Sequence, residues 1–244
     1  MVLLQSIDLW KHFNLFSKFY FKEKIVIMFE LNLNDKVVLI TGGSDGLGFA
    51  SAKLLSEQGA KIVICGRRGD YLKEKANIIR EKTKNEVLDV KCDVSNPEEC
   101  KFLVEKTVSE FKNIDVLVNN AGASAAFGFE DISDKSWEDD INLKLMAAIR
   151  MCRLVIPHMK DKGKGSIINA AIGGGKAPNA SSLPTTVTRA AGINLTKSLA
   201  NEFAKFNIRV NAICIGLIKS AQWDRKAING NVEDLYNELS KKIP

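Results

Sequence analysis

Apolar residues recur along this chain in two alternating rhythms. Short runs at Val37 to Ile40, Lys61 to Cys65, Val87 to Val90, Asp115 to Val118, Ser166 to Asn169 and Ile208 to Ile213 are too brief for buried helices and read as strands. Between them, apolar positions return every three or four residues. Leu47, Ala50, Leu54 and Leu55 mark a first helix that Gly59 ends, and further helices are predicted over Asp70 to Thr83, Pro97 to Phe111, Trp137 to Lys162 and Thr185 to Phe206. A Gly/Pro/Ser-rich loop fills 171–184, and a polar, helical tail follows Ile218 to Pro244. Strands that alternate strictly with helices imply right-handed βαβ crossovers. The predicted fold is therefore α/β: a single doubly wound, Rossmann-type parallel sheet with helices on both faces, occupying residues 30–244.

One junction in this pattern carries chemistry. The first strand runs into Thr41-Gly42-Gly43-Ser44-Asp45-Gly46-Leu47-Gly48, so Gly42, Gly46 and Gly48 sit where a strand turns into a helix. Without side chains they let the backbone approach a pyrophosphate, and the helix N-terminus offers unpaired N–H groups and partial positive charge. Glycines serving only the turn would give the same spacing. No Gly-Lys-Ser/Thr sequence follows, which argues against a nucleoside-triphosphate loop.

Length and charge narrow the reading further. A chain of 244 residues suits one sizeable domain and not two. Its net charge of +6 comes from scattered lysines, a solvated face rather than a nucleic-acid stripe. Five cysteines without a Cys-x-x-Cys spacing lie mostly in apolar runs, as expected of a reducing cytoplasm, and His12 and His158 offer no metal-ligand spacing. Residues 1–29 differ from the rest: Trp10, Phe13, Phe16, Phe19, Tyr20 and Phe21 crowd among lysines. They contain no secretory or membrane-spanning run, so no integral membrane association is expected. Leu9, Phe13, Phe16 and Tyr20 could line a surface-lying helix; the plainer expectation is that the natural start is Met28 and the segment an appendage.

With these elements in place, the chain from about Leu33 onward resembles the short-chain dehydrogenase/reductase family. Thr41-Gly42-x-x-x-Gly46-x-Gly48 is similar to the family's cofactor loop, Asp93 to its adenine contact, Asn119-Asn120-Ala121-Gly122 to its motif after the fourth strand, and Arg209-Val210-Asn211-Ala212 to its sixth-strand motif. The resemblance implies a small-molecule carbonyl or hydroxyl substrate. It also implies a nicotinamide dinucleotide held by Thr41, Gly42, Ser44, Gly46, Leu47, Gly48, Arg67, Arg68, Asp93, Val94, Asn119, Ala121, Gly122, Arg189, Gly216, Ile218 and Ser220. Asn142 falls where the family places its catalytic asparagine. At the end of the second strand, Arg67 and Arg68 replace the acidic residue that would reject a 2′-phosphate, so NADP is expected over NAD. Asp45 points the other way. The two longest helices correspond to the family's subunit contacts, implying a homodimer or homotetramer.

The likeness breaks at the proton relay. The family uses a serine and a Tyr-x-x-x-Lys pair; alignment of the fifth strand puts Ile172 at the serine, Thr185 at the tyrosine and Arg189 at the lysine. Tyr20, Tyr71 and Tyr236 are the chain's tyrosines, and none is near in sequence. A threonine hydroxyl is a poor acid or base at neutral pH, and arginine cannot relay a proton. Ile215 stands where the family has proline, and the chain stops at Pro244, before the family's last helix and seventh strand, so a truncated chain or an uncovered sheet edge is expected. Two functions remain open: an NAD(P)-dependent oxidoreductase with Thr185, Arg189 and Asn142 in its altered site, or a catalytically silent dinucleotide-binding or oligomer-partner protein.

Overall fold

The computed structural model describes residues 31–220, 224 and 231–241. The expectations placed on residues 1–29 lie outside the described residues, as does the expected tail over 221–223, 225–230 and 242–244. The chain divides into two units at Asn32 and Leu33, and every element below belongs to the second.

Six parallel strands form the central sheet among the described residues: β1 (Val37–Thr41), β2 (Lys61–Gly66), β3 (Val87–Lys91), β4 (Val116–Asn119), β6 (Gly165–Ile172) and β8 (Ile208–Ile215). Their order is β3-β2-β1-β4-β6-β8. The connecting helices are α1 (Gly46–Glu57), α2 (Gly69–Thr83), α3 (Pro97–Phe111), α4 (Asp134–Ile141), α5 (Ala147–Lys162) and α6 (Thr185–Phe203), and α7 (Val232–Ser240) follows the sheet. The doubly wound architecture read from the sequence is the one observed.

Strand alternation divides the core. Val37 and Leu39 join Leu103, Val104, Met151 and Val155 on the face covered by α3 and α5. Val38 and Ile40 join Ala52, Leu72, Ala76 and Ile79 on the face covered by α1 and α2. Because β1 carries apolar residues at consecutive positions, it serves both faces and must be central. At its start, Asp115 accepts from Val37 N at 3.0 Å and from Lys162 Nζ at 2.6 Å, which ties β1, β4 and the end of α5 together. The chain reverses direction across the sheet between β1 and β4, so the crevice beyond their carboxyl ends is the ligand position of an open α/β sheet.

Four features differ from the sequence reading. The expected helix over 137–162 begins earlier, at Asp134 under an Ser133 cap, and is interrupted by a π turn at Asn142–Met146. Strands β6 and β8 run further than their apolar runs suggested, because they pair residue for residue from Gly165 opposite Ile208 to Ile172 opposite Ile215. The polar Asn169 that broke the β6 pattern is satisfied inside the sheet, donating to Thr196 Oγ1 at 2.9 Å and accepting from Asn119 Nδ2 at 2.8 Å. Finally, the segment read as an unstructured loop contributes β7 (Leu183–Pro184), which pairs antiparallel with β5 (Ala126–Phe127). Two-residue strands carry too few side chains to register as a pattern. Cys65, Cys92, Cys100 and Cys152 are buried as expected, whereas Cys214 is exposed on β8, the terminal strand among those described.

Candidate active site

The loop between β1 and α1 is held by its neighbours in a fixed shape. Thr41 Oγ1 accepts from the backbone amides of both Asn120 and Ala121 at 3.0 Å, and Asn120 Nδ2 donates to the carbonyls of Thr41 and Gly42 at 3.0 and 3.2 Å. These bonds lock the ends of β1 and β4 side by side. Gly42 has φ +65°, and a Cβ there would stand 2.9 Å from Ala121 Cα. At Gly48 a Cβ would lie 2.2 Å from the Gly42 carbonyl oxygen, so the first turn of α1 presses on the loop as only glycine allows. Gly46 is the opposite case. Its φ is +50°, and among the described residues nothing lies within 4 Å of where its Cβ would be. An open, side-chain-free backbone at a helix N-terminus, braced on its other side, fits a diphosphate. Ser44 is buried behind it, and Leu47 is half-buried in the first turn.

The end of β2 brings the cationic residues to the same edge. Arg68 lies 3.7 Å from Asp45, whose side chain also caps α1 by accepting from Gly46 N at 2.8 Å, and its guanidinium stacks 4.2 Å from the Tyr71 ring centroid. Asp45, which argued against NADP in the sequence, thus lies beside one of the two arginines that argued for it. Arg67 is exposed. At the end of β3, Asp93 accepts from the Ser95 amide at 3.0 Å and hydroxyl at 2.6 Å. Burial alone would raise its carboxyl, but the Ser95 bonds and the charge of Arg67 outweigh this and hold it below the ordinary value. Val94 beside it is in the core.

Asn119 points elsewhere. Its side chain is buried and donates to Asn169 and, at 3.5 Å, to Cys152 Sγ, so it braces β4 against β6 and leaves only its backbone at the strand end. Ala121 is fixed by the hydrogen bond its N–H donates to Thr41 Oγ1, and Gly122 follows it. Gly216 and Ile218 are exposed after β8, and Ser220 N donates to the Tyr236 hydroxyl at 2.9 Å. Tyr236 donates in turn to Asp224 at 2.7 Å.

The residues aligned with the proton relay come together at the start of α6. Thr185 is its first residue, and Arg189 lies one turn later. Arg189 donates to the Ala170 carbonyl at 2.6 Å, while its Nε is buried without a partner among the described residues. Burial lowers the guanidinium from its ordinary value, opposed by the charge of Asp140. A Cβ on Gly122 would lie 2.5 Å from Arg189 Nη2 and 3.8 Å from Lys144 Cγ, so the end of β4, the π turn and α6 share one corner. Ile172, at the aligned serine position, ends β6 opposite Ile215. Asn142 starts the π turn; its side chain donates to the Ser95 carbonyl at 3.2 Å, and its own carbonyl accepts from Ala147 N. A π turn is common at functional positions because it redirects one turn of side chains.

Sequence reasoning missed the most heavily buried charges in this corner. Lys144 and Asp140 form an ion pair with side chains only 1% and 4% exposed. Lys144 Nζ also donates to Thr185 Oγ1 at 2.6 Å, and Thr188 Oγ1 donates to Asp140 at 2.6 Å. The signal available was the Asp140-to-Lys144 spacing of four, with Ile141, Leu143 and Leu145 alongside. Clefts of about 560 Å³ between α5 and α6 and about 440 Å³ beneath the 173–184 loop are also present. The second reaches α6 through Thr186 and Val187, beside the polar corner.

The short chain dehydrogenase profile matches residues 36–229, spanning every element just described from β1 through β8. The chain belongs to this family. Among curated relatives, it is 32% identical over 200 residues to dehydrogenase/reductase SDR family member 4 of Mus musculus, covering 80% of this chain and 71% of that one. It is 34% identical over 212 residues to the 3-oxoacyl-(acyl-carrier-protein) reductase FabG of Chlamydia trachomatis, covering 87% and 84%. Among solved structures, the L-sorbose reductase of Gluconobacter frateurii complexed with NADPH and L-sorbose superposes with a TM-score of 0.83 at 35% identity, covering 86% of this chain and 82% of that one. An NAD⁺-bound xylitol dehydrogenase gives 0.80 at 27%, covering 87% and 86%. The short chain dehydrogenase family is one of oxidoreductases, and its members matched here include reductases and nicotinamide-dinucleotide binders. No helix among the described residues is long and apolar enough to cross a membrane.

Proposed function

We propose that this short chain dehydrogenase is an NAD(P)-dependent oxidoreductase acting on a small carbonyl or hydroxyl compound, with NADP(H) preferred. The observation that carries the reading is the contrast between Gly48, packed against Gly42, and Gly46, open on its outer side at the helix N-terminus. Thr41, Gly42, Ser44, Gly46, Leu47 and Gly48 would hold the diphosphate, with Ala121, Gly122 and the backbone of Asn119 alongside. Asp93 and Val94 would face the adenine, and Gly216, Ile218 and Ser220 the nicotinamide end. The partnerless Nε of Arg189, beside Gly122, suits a ribose hydroxyl. Arg67 and Arg68 would take a 2′-phosphate, for which planar arginine donors are well shaped. When bound, the cofactor supplies the hydride.

The second reading, a dinucleotide-binding protein without turnover, has its own support. Of the tyrosines described, Tyr71 stacks with Arg68 and Tyr236 bonds to Ser220, so neither stands beside Thr185. One experiment separates the two. Purified full-length chain is titrated with NADPH by fluorescence and then assayed for NADPH oxidation with aldehydes, ketones and quinones. Binding with turnover supports the enzyme, and binding without turnover supports the silent protein. Absence of binding removes both.

A further inference from the structure

We propose that Lys144 acts through the Thr185 hydroxyl as the proton supply of this site, so that a threonine and a lysine from two different helical segments serve where a phenol would otherwise stand. The inference rests on the oxidoreductase reading above.

The geometry of Thr185 Oγ1 is the argument. A hydroxyl has one hydrogen to donate and two lone pairs to accept with. Ala125 N donates to this oxygen at 3.1 Å and Lys144 Nζ at 2.6 Å, both from groups that can only donate. With both lone pairs engaged, Thr185 is left with its hydrogen to offer, and a bond from a cationic donor makes that hydrogen more acidic. Isolated threonine is too weak an acid for this work; Thr185 is not isolated. Gly122 and Arg189, both beside Lys144, mark the corner at the carboxyl ends of β4 and β6.

Lys144 is built for exchange rather than for surface solvation. Its side chain is 1% exposed, and the charged groups that face it are Asp140 from α4 and Arg189 from α6, with the Thr185 hydroxyl completing the shell. Burial lowers the ammonium from its ordinary value; Asp140 raises it by less, and Arg189 adds to the lowering. Thr188 donates to the second oxygen of Asp140, holding the carboxylate in place. Lys144 is thus a positioning residue, and Thr185 is the group that would touch substrate.

The proton balance closes with one hydride and one proton. As the carbonyl carbon of the substrate takes the hydride pair from NAD(P)H, the π pair of the C=O bond moves to oxygen, which takes the Thr185 hydroxyl hydrogen. In the same event Thr185 Oγ1 takes a proton from Lys144 Nζ, so no free alkoxide is left on the protein. Once the alcohol has left, water donates a proton to Thr185 Oγ1 as the hydroxyl hands its own hydrogen back to the neutral amine of Lys144. The reverse sequence serves alcohol oxidation.

The test uses the full chain, NADPH, and wild type beside Thr185→Val, Thr185→Ser and Lys144→Met. Lys144→Met alone strands the buried Asp140 carboxylate, so Asp140→Asn/Lys144→Met is carried as a second variant that removes both charges. Expected are NADPH affinities within about twofold of wild type, kcat lower by roughly 10²–10⁴-fold in Thr185→Val and in both Lys144 variants, and partial recovery in Thr185→Ser. Thr185→Val combined with Lys144→Met should be no slower than either alone, because the two act as a unit. Independently of activity, lysine-labelled NMR of the uncomplexed chain should show one amine titrating below the others, absent from Lys144→Met and shifted in Thr185→Val. The inference is overturned if the chain binds NADPH but reduces nothing, if Lys144 variants keep kcat, or if all lysines titrate together. Failure of wild type to bind either NADPH or NADH overturns the oxidoreductase reading itself.

Discussion

A Cβ added to Gly48 would stand 2.2 Å from the carbonyl oxygen of Gly42, which makes the first turn of α1 and the loop before it a single rigid piece. Gly48→Ala forces backbone apart. Such overpacking costs about 1–3 kcal/mol. The expected outcome is a lower melting temperature together with nucleotide affinity weakened at least tenfold. Gly46→Ala meets no neighbour, but its φ of +50° adds strain of about 1–2 kcal/mol. Thermal melts and calorimetry on the two variants should therefore separate two effects: Gly48→Ala loses stability together with affinity, whereas Gly46→Ala, whose Cβ would stand in the space given to the diphosphate, loses mainly affinity. Equal affinity in Gly48→Ala and wild type would contradict the packing account.

Arg67 and Arg68 make a prediction about cofactor choice. A hydrogen bond to a charged group contributes about 1.5–3 kcal/mol, and each 1.4 kcal/mol is a factor of ten in affinity. Arg67→Ala/Arg68→Ala should weaken NADPH binding by more than tenfold and leave NADH nearly unchanged. Arg67→Ala and Arg68→Ala alone should each give part of that loss, because either guanidinium can take the 2′-phosphate. Dissociation constants for both nucleotides on the three variants check this. A parallel loss for NADH would show that the arginines act on the fold.

The sequence made the sheet and its glycine junction legible because both are written in local pattern. Val37 to Ile40 is an apolar run that could only be a central strand, and Gly42, Gly46 and Gly48 mark a turn with no side chains to obscure it. What stayed hidden depends on distance in the chain. Asn169 looked like the end of a strand until Asn119 and Thr196, 50 and 27 residues away, were found bonded to it. Lys144 was one of the scattered lysines read together as a solvated face. It lies buried in the π turn at Asn142–Met146; its spacing from Asp140 is local, but its bond to Thr185, 41 residues on, is not written in any local pattern.

Asp93 supplies a pH dependence. Its carboxyl is held below the ordinary value of 3.8, with the Ser95 bonds and Arg67 overcoming the opposing effect of burial. The folded state therefore binds this proton less readily than the unfolded chain. The sign follows: the Asp93 contribution is fully present above the unfolded value, and it is lost as pH falls through the lowered folded one. Urea unfolding of wild type and Asp93→Asn should show wild type more stable at pH 6, with the gap closing on acidification below roughly pH 4. A gap that does not change with pH would place the effect of Asp93 outside its charge.

The account as a whole stands on a nucleotide diphosphate seated at the open face of Gly46. Isothermal titration of the folded, full-length chain with NADPH and with NADH tests this most directly. The predicted result is one site per chain, tighter for NADPH, and much weakened in Gly48→Ala. A well-folded preparation that takes up neither nucleotide would contradict it.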